Sequence, residues 1–153
     1  MVLTQKQLAD IANVLRQDVL EMTTSAGSGH ATSCLSCAEI MSVLWFDEMS
    51  YDLGNSHSLG NDEFVLSKGH VAPILYSALK HAGCMNHDLL KLRKLTSSLE
   101  GHPVPSSSMP WVKVATGSLG QGLGVGVGMA LSARYNKTGS RVYVLLGDVY
   151  VIE

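Results

Sequence analysis

Gly117-Ser118-Leu119-Gly120-Gln121-Gly122, then a helix-compatible run to about Tyr135, then Arg141-Val142-Tyr143-Val144-Leu145-Leu146-Gly147-Asp148: this stretch decides the fold of the 153-residue chain. The glycines open a helix, and the apolar run after it reads as a buried strand that ends in Gly147-Asp148. Upstream, Phe64-Val65-Leu66 is a second short buried strand and Ser67-Lys68-Gly69-His70 a loop. A helix follows from about Ala72, with Pro73 in its first turn and Gly83 as its stop. Such alternation of helices and strands predicts an α/β fold with a parallel sheet.

The N-terminal third reads as helical. Leu8, Ile11, Ala12, Leu15, Val19 and Met22 recur on one face between Thr4 and Thr24, Thr4 with Gln7 makes a capping box, and Gly27 and Gly29 end the helix. Ser36 with Glu39 predicts a second helix from about 36 to 46, and Ile40, Met41, Val43, Leu44 and Trp45 make it apolar nearly all round, hence deeply buried. Asp88 to Leu95 is a further helical stretch, and Glu100 to Trp111 a Pro/Ser-rich loop.

The length predicts one domain with a real core. Charged residues make up only 16% of the chain, against about 25% in an ordinary globular domain. So low a charge predicts surface hidden against a second domain or subunit. A net charge of -2 offers no footprint for nucleic acid or an anionic membrane. No run approaches the ~18 apolar residues of a membrane span, and Met1-Val2-Leu3-Thr4-Gln5-Lys6 has no signal-peptide pattern. Three cysteines make no disulfide framework, which predicts a reducing cytoplasm. Cys34 and Cys37 form a C-x-x-C, but without a second ligand pair they read as two small buried apolar residues rather than zinc or redox chemistry.

Three elements have chemical potential. The glycine-rich helix start is a ready anion site, although it matches neither common phosphate-binding glycine pattern. Gly120, Gly124 and Gly128 share one helix face and Gly122 and Gly126 another. Glycine inside a helix costs about 0.5–1 kcal/mol relative to alanine, so close packing of another backbone is a second use for them. Asp148, just past a buried strand, is placed for Mg²⁺ or Ca²⁺ at the carboxyl ends of the strands. Finally, Gly29-His30, Gly69-His70 and Gly101-His102 share one context and read as loops converging on a polar site. Such imidazoles serve zinc binding, phosphate and hydroxyl recognition, or proton transfer. His57, His81 and His87 have no special context and read as surface residues.

Together these residues resemble transketolases, with animal enzymes the nearest in look. Ser28-Gly29-His30-Ala31-Thr32-Ser33 through Ala38-Glu39-Ile40-Met41 matches the family's N-terminal signature, in which Pro usually stands at Ala31. Phe64 to His70, Gly101-His102-Pro103, Ala115 to Gly122, Arg141-Val142-Tyr143 and Leu145 to Asp148 continue it in order. The resemblance implies a thiamine diphosphate-binding fold, a parallel sheet with helices on both faces. It implies ketol transfer between sugar phosphates in pentose phosphate metabolism, with thiamine diphosphate and Mg²⁺ or Ca²⁺. It also implies a homodimer or the remainder of a transketolase chain as partner. His30 and His102 would act on the sugar and at the reacting centre. Ser33, His70, Gly117, Ser118, Leu119 and Asp148 would hold the cofactor, Asp148 as metal ligand.

The chain also departs from the family. Gly-Asp-Gly is expected at the metal, where Val149 follows Asp148, and the family's downstream Asn is absent. Residues 1–148 therefore read as the N-terminal part of a truncated pyrophosphate-binding domain and 149–153 as a divergent tail. A chain inactive alone, or a non-catalytic product acting only through partners, is the alternative expectation. A generic nucleotide-binding α/β protein is the third, resting on the glycine-rich helix start alone.

Overall fold

The computed structural model describes residues 3–95, 97, 99–118 and 120–147. Asp148, Leu119 and the 149–153 tail lie outside them. The chain forms two compact units, one from Met1–Met49 with His70–Gly101, the other from Ser50–Gly69 with His102–Glu153.

The first unit is helical. Helix α1 (Gln5–Ala26) starts on the expected reciprocal cap: Gln7 N donates to Thr4 Oγ1 at 3.3 Å and Thr4 N to Gln7 Oε1 at 2.8 Å. It stops at Gly27, whose φ of 62° is the left-handed C-terminal turn. Ala12, Leu15, Val19 and Met22 are fully buried, and α1 packs on α3 (Ala38–Val43) and α4 (Ala72–His81). Polar ties fix the pairing. Ser42 Oγ donates to Leu8 O at 2.7 Å, Arg16 pairs with Glu39, and Asp18 Oδ2 accepts from Ser77 Oγ at 2.6 Å and meets His81 Nε2 at 2.8 Å. Of the three histidines read as surface residues, His57 and His81 are exposed, His81 while partnering Asp18 of α1, and His87 is half-buried.

Two sequence expectations are met only in part here, for local reasons. The helix expected from about 36 to 46 forms as α3 running directly into a π turn (Leu44–Glu48), but it starts two residues late, after a separate short helix α2 (Ala31–Leu35). Ser36 closes α2 instead of opening a helix, its hydroxyl donating back to Ser33 O at 2.8 Å, while its expected partner Glu39 goes to Arg16. The all-round burial is also incomplete, because Ile40 and Val43 stay exposed. Between Asp88 and Leu95 only one 3-10 turn forms (Leu89–Lys91), opened by Asp88 Oδ1 accepting from Leu90 N at 3.1 Å.

The core of this unit closes on Tyr76, fully buried, whose hydroxyl donates to Glu100 O at 3.0 Å. Burial first, and the Glu100 charge second, push its phenol above the ordinary range. Tyr76→Phe keeps the packing but strands that carbonyl, so a stability loss of about 1 kcal/mol is expected in urea unfolding. A change below about 0.3 kcal/mol would show that the bond contributes nothing. The three cysteines are buried thiols, and burial holds the Cys84 thiol up at about 12, so it stays protonated. Among the described residues no helix is long and apolar enough to cross a membrane.

The second unit holds the sheet. Strands β1 (Glu63–Leu66) and β2 (Val142–Leu145) run parallel with Glu63 opposite Val142 and Leu66 opposite Leu145. Helix α5 (Gln121–Asn136) packs on both. The expected use of the helix glycines for close packing holds for one face only. A Cβ at Gly122 would come within 2.6 Å of Ser67 Cβ and one at Gly126 within 2.3 Å of Val144 Cγ2, while Gly124 and Gly128 have open space.

Candidate functional site

In the first unit, the turn after α1 presents an exposed His30 as the residue before α2. The 3-10 turn Gly69–Val71 presents His70 as the residue that leads into α4. The two imidazoles meet with ring centroids 4.9 Å apart, tilted by 58°. Ser33, one turn into α2, shares a hydrogen bond of 3.2 Å between its Oγ and His70 Nε2. Three predicted site residues are therefore gathered on one half-open surface. A hydroxyl and two imidazoles side by side can orient a heteroaromatic ring or exchange protons with sugar hydroxyls.

In the second unit, the carboxyl ends of the strands build the other group. Ser67 continues β1, its N–H donating to Leu145 O at 2.9 Å. Its buried Oγ then accepts from Gly122 N, in the first turn of α5, at 3.2 Å. Thr116 Oγ1 donates to Leu66 O at 2.6 Å. Gly69 lies so near the Thr116 peptide that a Cβ would be 2.4 Å from Thr116 O. These bonds hold Gly117 and Ser118, both exposed, at the entry of α5, which starts at Gly120 (φ 75°) with no side chain capping it. The exposed His102 ring lies over Gly117, where a Cβ would sit 3.5 Å from Cδ2.

Ser67 and Thr116 are the residues sequence reasoning passed over. Both are buried polar groups beside a strand end, and their signal is a hydroxyl where the apolar run stops. Leu119 and Asp148, predicted for cofactor and metal, lie outside the described residues. Among the described residues no three His, Cys, Asp or Glu side chains gather as a metal-binding group, which leaves the zinc reading of the histidines without support.

Comparison with known proteins places the chain in a family. The family model described as "Transketolase, thiamine diphosphate binding domain" matches residues 5–153. Transketolase of Homo sapiens is 54% identical over 143 residues, covering 92% of this chain and 23% of that protein. An apulose-4-phosphate transketolase subunit of Phocaeicola vulgatus is 37% identical over 134 residues, 87% of this chain and 47% of that one. The solved transketolase of Campylobacter jejuni superposes with a TM-score of 0.86 at 34% identity, over 99% of this chain and 25% of its own. The chain spans about a quarter of the length of the vertebrate transketolases it matches. It belongs to the transketolase family, as a thiamine diphosphate-binding domain of α/β type.

Proposed function

We propose that this chain supplies the cofactor-diphosphate and donor-sugar side of a transketolase centre and acts with the remainder of a transketolase chain. The reaction is transfer of a two-carbon ketol unit from a ketose phosphate to an aldose phosphate. The observation that carries this is the contact of Ser33, His70 and His30. The residues present also fit the cofactor: α5 begins without a side-chain cap beside the exposed Gly117 and Ser118, which suits a diphosphate. Gly117, Ser118 and Leu119 would hold that diphosphate, and Asp148 would hold Mg²⁺ or Ca²⁺ against it. Ser33 and His70 would hold the thiamine portion. When bound, thiamine diphosphate supplies the carbanion chemistry of C–C cleavage and formation. His30 and His102 would hold sugar hydroxyls and move their protons, each imidazole donating at one nitrogen and accepting at the other. The Phocaeicola vulgatus relative, itself described as one subunit of a transketolase, supports a working arrangement in which such a domain is a separate chain.

A second reading has its own observation. Leu123, Val127, Leu131 and Tyr135 form an exposed apolar row at four-residue spacing along α5, Tyr135 at 87% exposure. A chain that only binds partners would use such a row and need no cofactor.

Calorimetry and thermal denaturation of the 153-residue chain separate the two. Micromolar, Mg²⁺-dependent binding of thiamine diphosphate is expected. At a hundredfold excess over Kd it adds about 2.7 kcal/mol, or roughly 5–10 °C in Tm, and chelation of the metal removes it. Adding the C-terminal remainder should then yield ketol transfer. A folded chain with no binding at millimolar cofactor would favour the partner-binding reading.

A further inference from the structure

Arg93 has a φ of +59°, a backbone conformation L side chains rarely adopt. The chain turns there because Arg93 N donates to Leu99 O at 2.7 Å. The turn sends the guanidinium back over α1's end, where Nη1 donates to Ser28 Oγ at 3.2 Å. It runs against Gly101 on the way: a Cβ at Gly101 would be 2.9 Å from Arg93 Cζ and 3.0 Å from Nη1. A side chain at Gly101 would make the guanidinium shift from this path. Two more bonds join the same segments, Ser25 Oγ to Leu90 O at 3.1 Å and Lys94 Nζ to Ser25 O at 3.0 Å. Ser28 sits between Gly27 (φ 62°) and Gly29 (φ 139°), immediately before His30. The N–H groups of Gly27 and Ser28 bond back to the Thr23 and Thr24 carbonyls, so the main chain holds the turn as far as Ser28; Gly29 then brings glycine's wide freedom just where the chain leaves for His30.

We propose that Arg93 is a positioning residue: with Ser28 it fixes the Gly27–Gly29 turn and so holds His30 against His70. Arg93 touches neither cofactor nor sugar in this role. A strained backbone kept in place by its surroundings is what positioning of a functional group requires, since the strain is stored where the fold over-determines it. The guanidinium suits the task better than an ammonium because its planar fork, wedged beside Gly101, leaves one N–H aimed at Ser28. The structural claim is independent of catalysis; its effect on turnover rests on the function proposed above.

Arg93→Met and Ser28→Ala test it in the full 153-residue chain by amide hydrogen exchange, and in the enzyme assembled with the remainder by kinetics. Exchange at Ser28, whose N–H donates to Thr23 O, and at Cys34, whose N–H donates to His30 O, is expected to rise about fivefold, the loss of one hydrogen bond's worth of local protection, with α4 amides unchanged. In the assembled enzyme kcat should fall about tenfold, while KM for the ketose and thiamine diphosphate affinity stay within about twofold. Unchanged exchange in both variants overturns the proposal. So does a uniform rise across the unit, which is global destabilisation, or a faster turn with unchanged kcat. Should Arg93→Met fail to fold, Ser28→Ala decides, since it removes only an exposed hydroxyl. If the unsubstituted assembly shows no ketol transfer, the functional reading fails and the exchange data alone judge the positioning of His30.

Discussion

Gly69→Ala is expected to lower stability by about 3 kcal/mol, the upper end of what overpacking costs, and to reduce Tm by roughly 6–12 °C. The methyl would arrive 2.4 Å from Thr116 O, 2.8 Å from Thr116 C and 3.1 Å from Gly117 N. All three are main-chain atoms, so no side chain can swing away. The Thr116–Gly117 peptide must move, and with it the Thr116 Oγ1 bond to Leu66 O that pins this segment to the end of β1. Gly117 and Ser118 follow directly, so the variant should also weaken thiamine diphosphate binding by more than its stability loss explains. Gly124→Ala is the internal control. It lies in the interior of α5 with nothing within 4 Å of the added methyl, and should gain about 0.5–1 kcal/mol from helix propensity alone. Thermal denaturation by circular dichroism reads both. Gly69→Ala within about 0.5 kcal/mol of the parent would show that the Thr116 peptide yields freely, and the account of this close approach would fail.

That pair of glycines also marks what could be read from sequence. The α5 start, each of the two strands and the Thr4–Gln7 cap were legible, because each is written in residues at most a few positions apart. Which glycines need to be glycine was not. Gly122 and Gly124 look alike in sequence, and only the approach of Ser67 separates them. Ser36 misled for the opposite reason: a hydroxyl three residues before a glutamate suits a helix start, but its own Ser33 carbonyl was the nearer partner. His30 and His70 stood out in sequence by their shared Gly-His context and Ser33 through the resemblance, but that the three meet is a matter of tertiary contact across 37 residues or more. Arg93 carried no signal in sequence, since its conformation depends on the Leu99 carbonyl and its partner Ser28 lies 65 positions away.

Asp62 is the strongest instance of such long-range dependence, and Asp62→Asn is expected to cost about 2–4 kcal/mol at neutral pH. In the sequence it is one acidic residue of a turn-like Gly60-Asn61-Asp62-Glu63 stretch. In the structure it is buried at the head of the sheet. Its Oδ1 accepts from Arg141 N at 2.7 Å, and its Oδ2 accepts from Ser50 N at 3.0 Å and from Arg141 Nη2 at 3.0 Å. Asp62 N donates to Ser50 O and Glu63 N to Arg141 O, so the carboxylate sets the point where β1 and β2 come into register. An asparagine has one acceptor where the site needs two. Whichever way the amide turns, its NH₂ faces either the Arg141 amide or the Ser50 amide and guanidinium, donor against donor. Burial by itself raises the Asp62 carboxyl, but the amides of Ser50 and Arg141 and the Arg141 guanidinium outweigh it and hold the group below the ordinary carboxylate range. A folded value below the unfolded one gives stability that is fully present above about pH 4 and is lost as pH falls through the lower folded value. Urea unfolding from pH 7 down to pH 2 should therefore show the parent losing stability faster than Asp62→Asn below about pH 4, so that the two curves converge in acid. Parallel curves, or an asparagine variant as stable as the parent at pH 7, would mean that the charge at Asp62 does not hold the strand heads together.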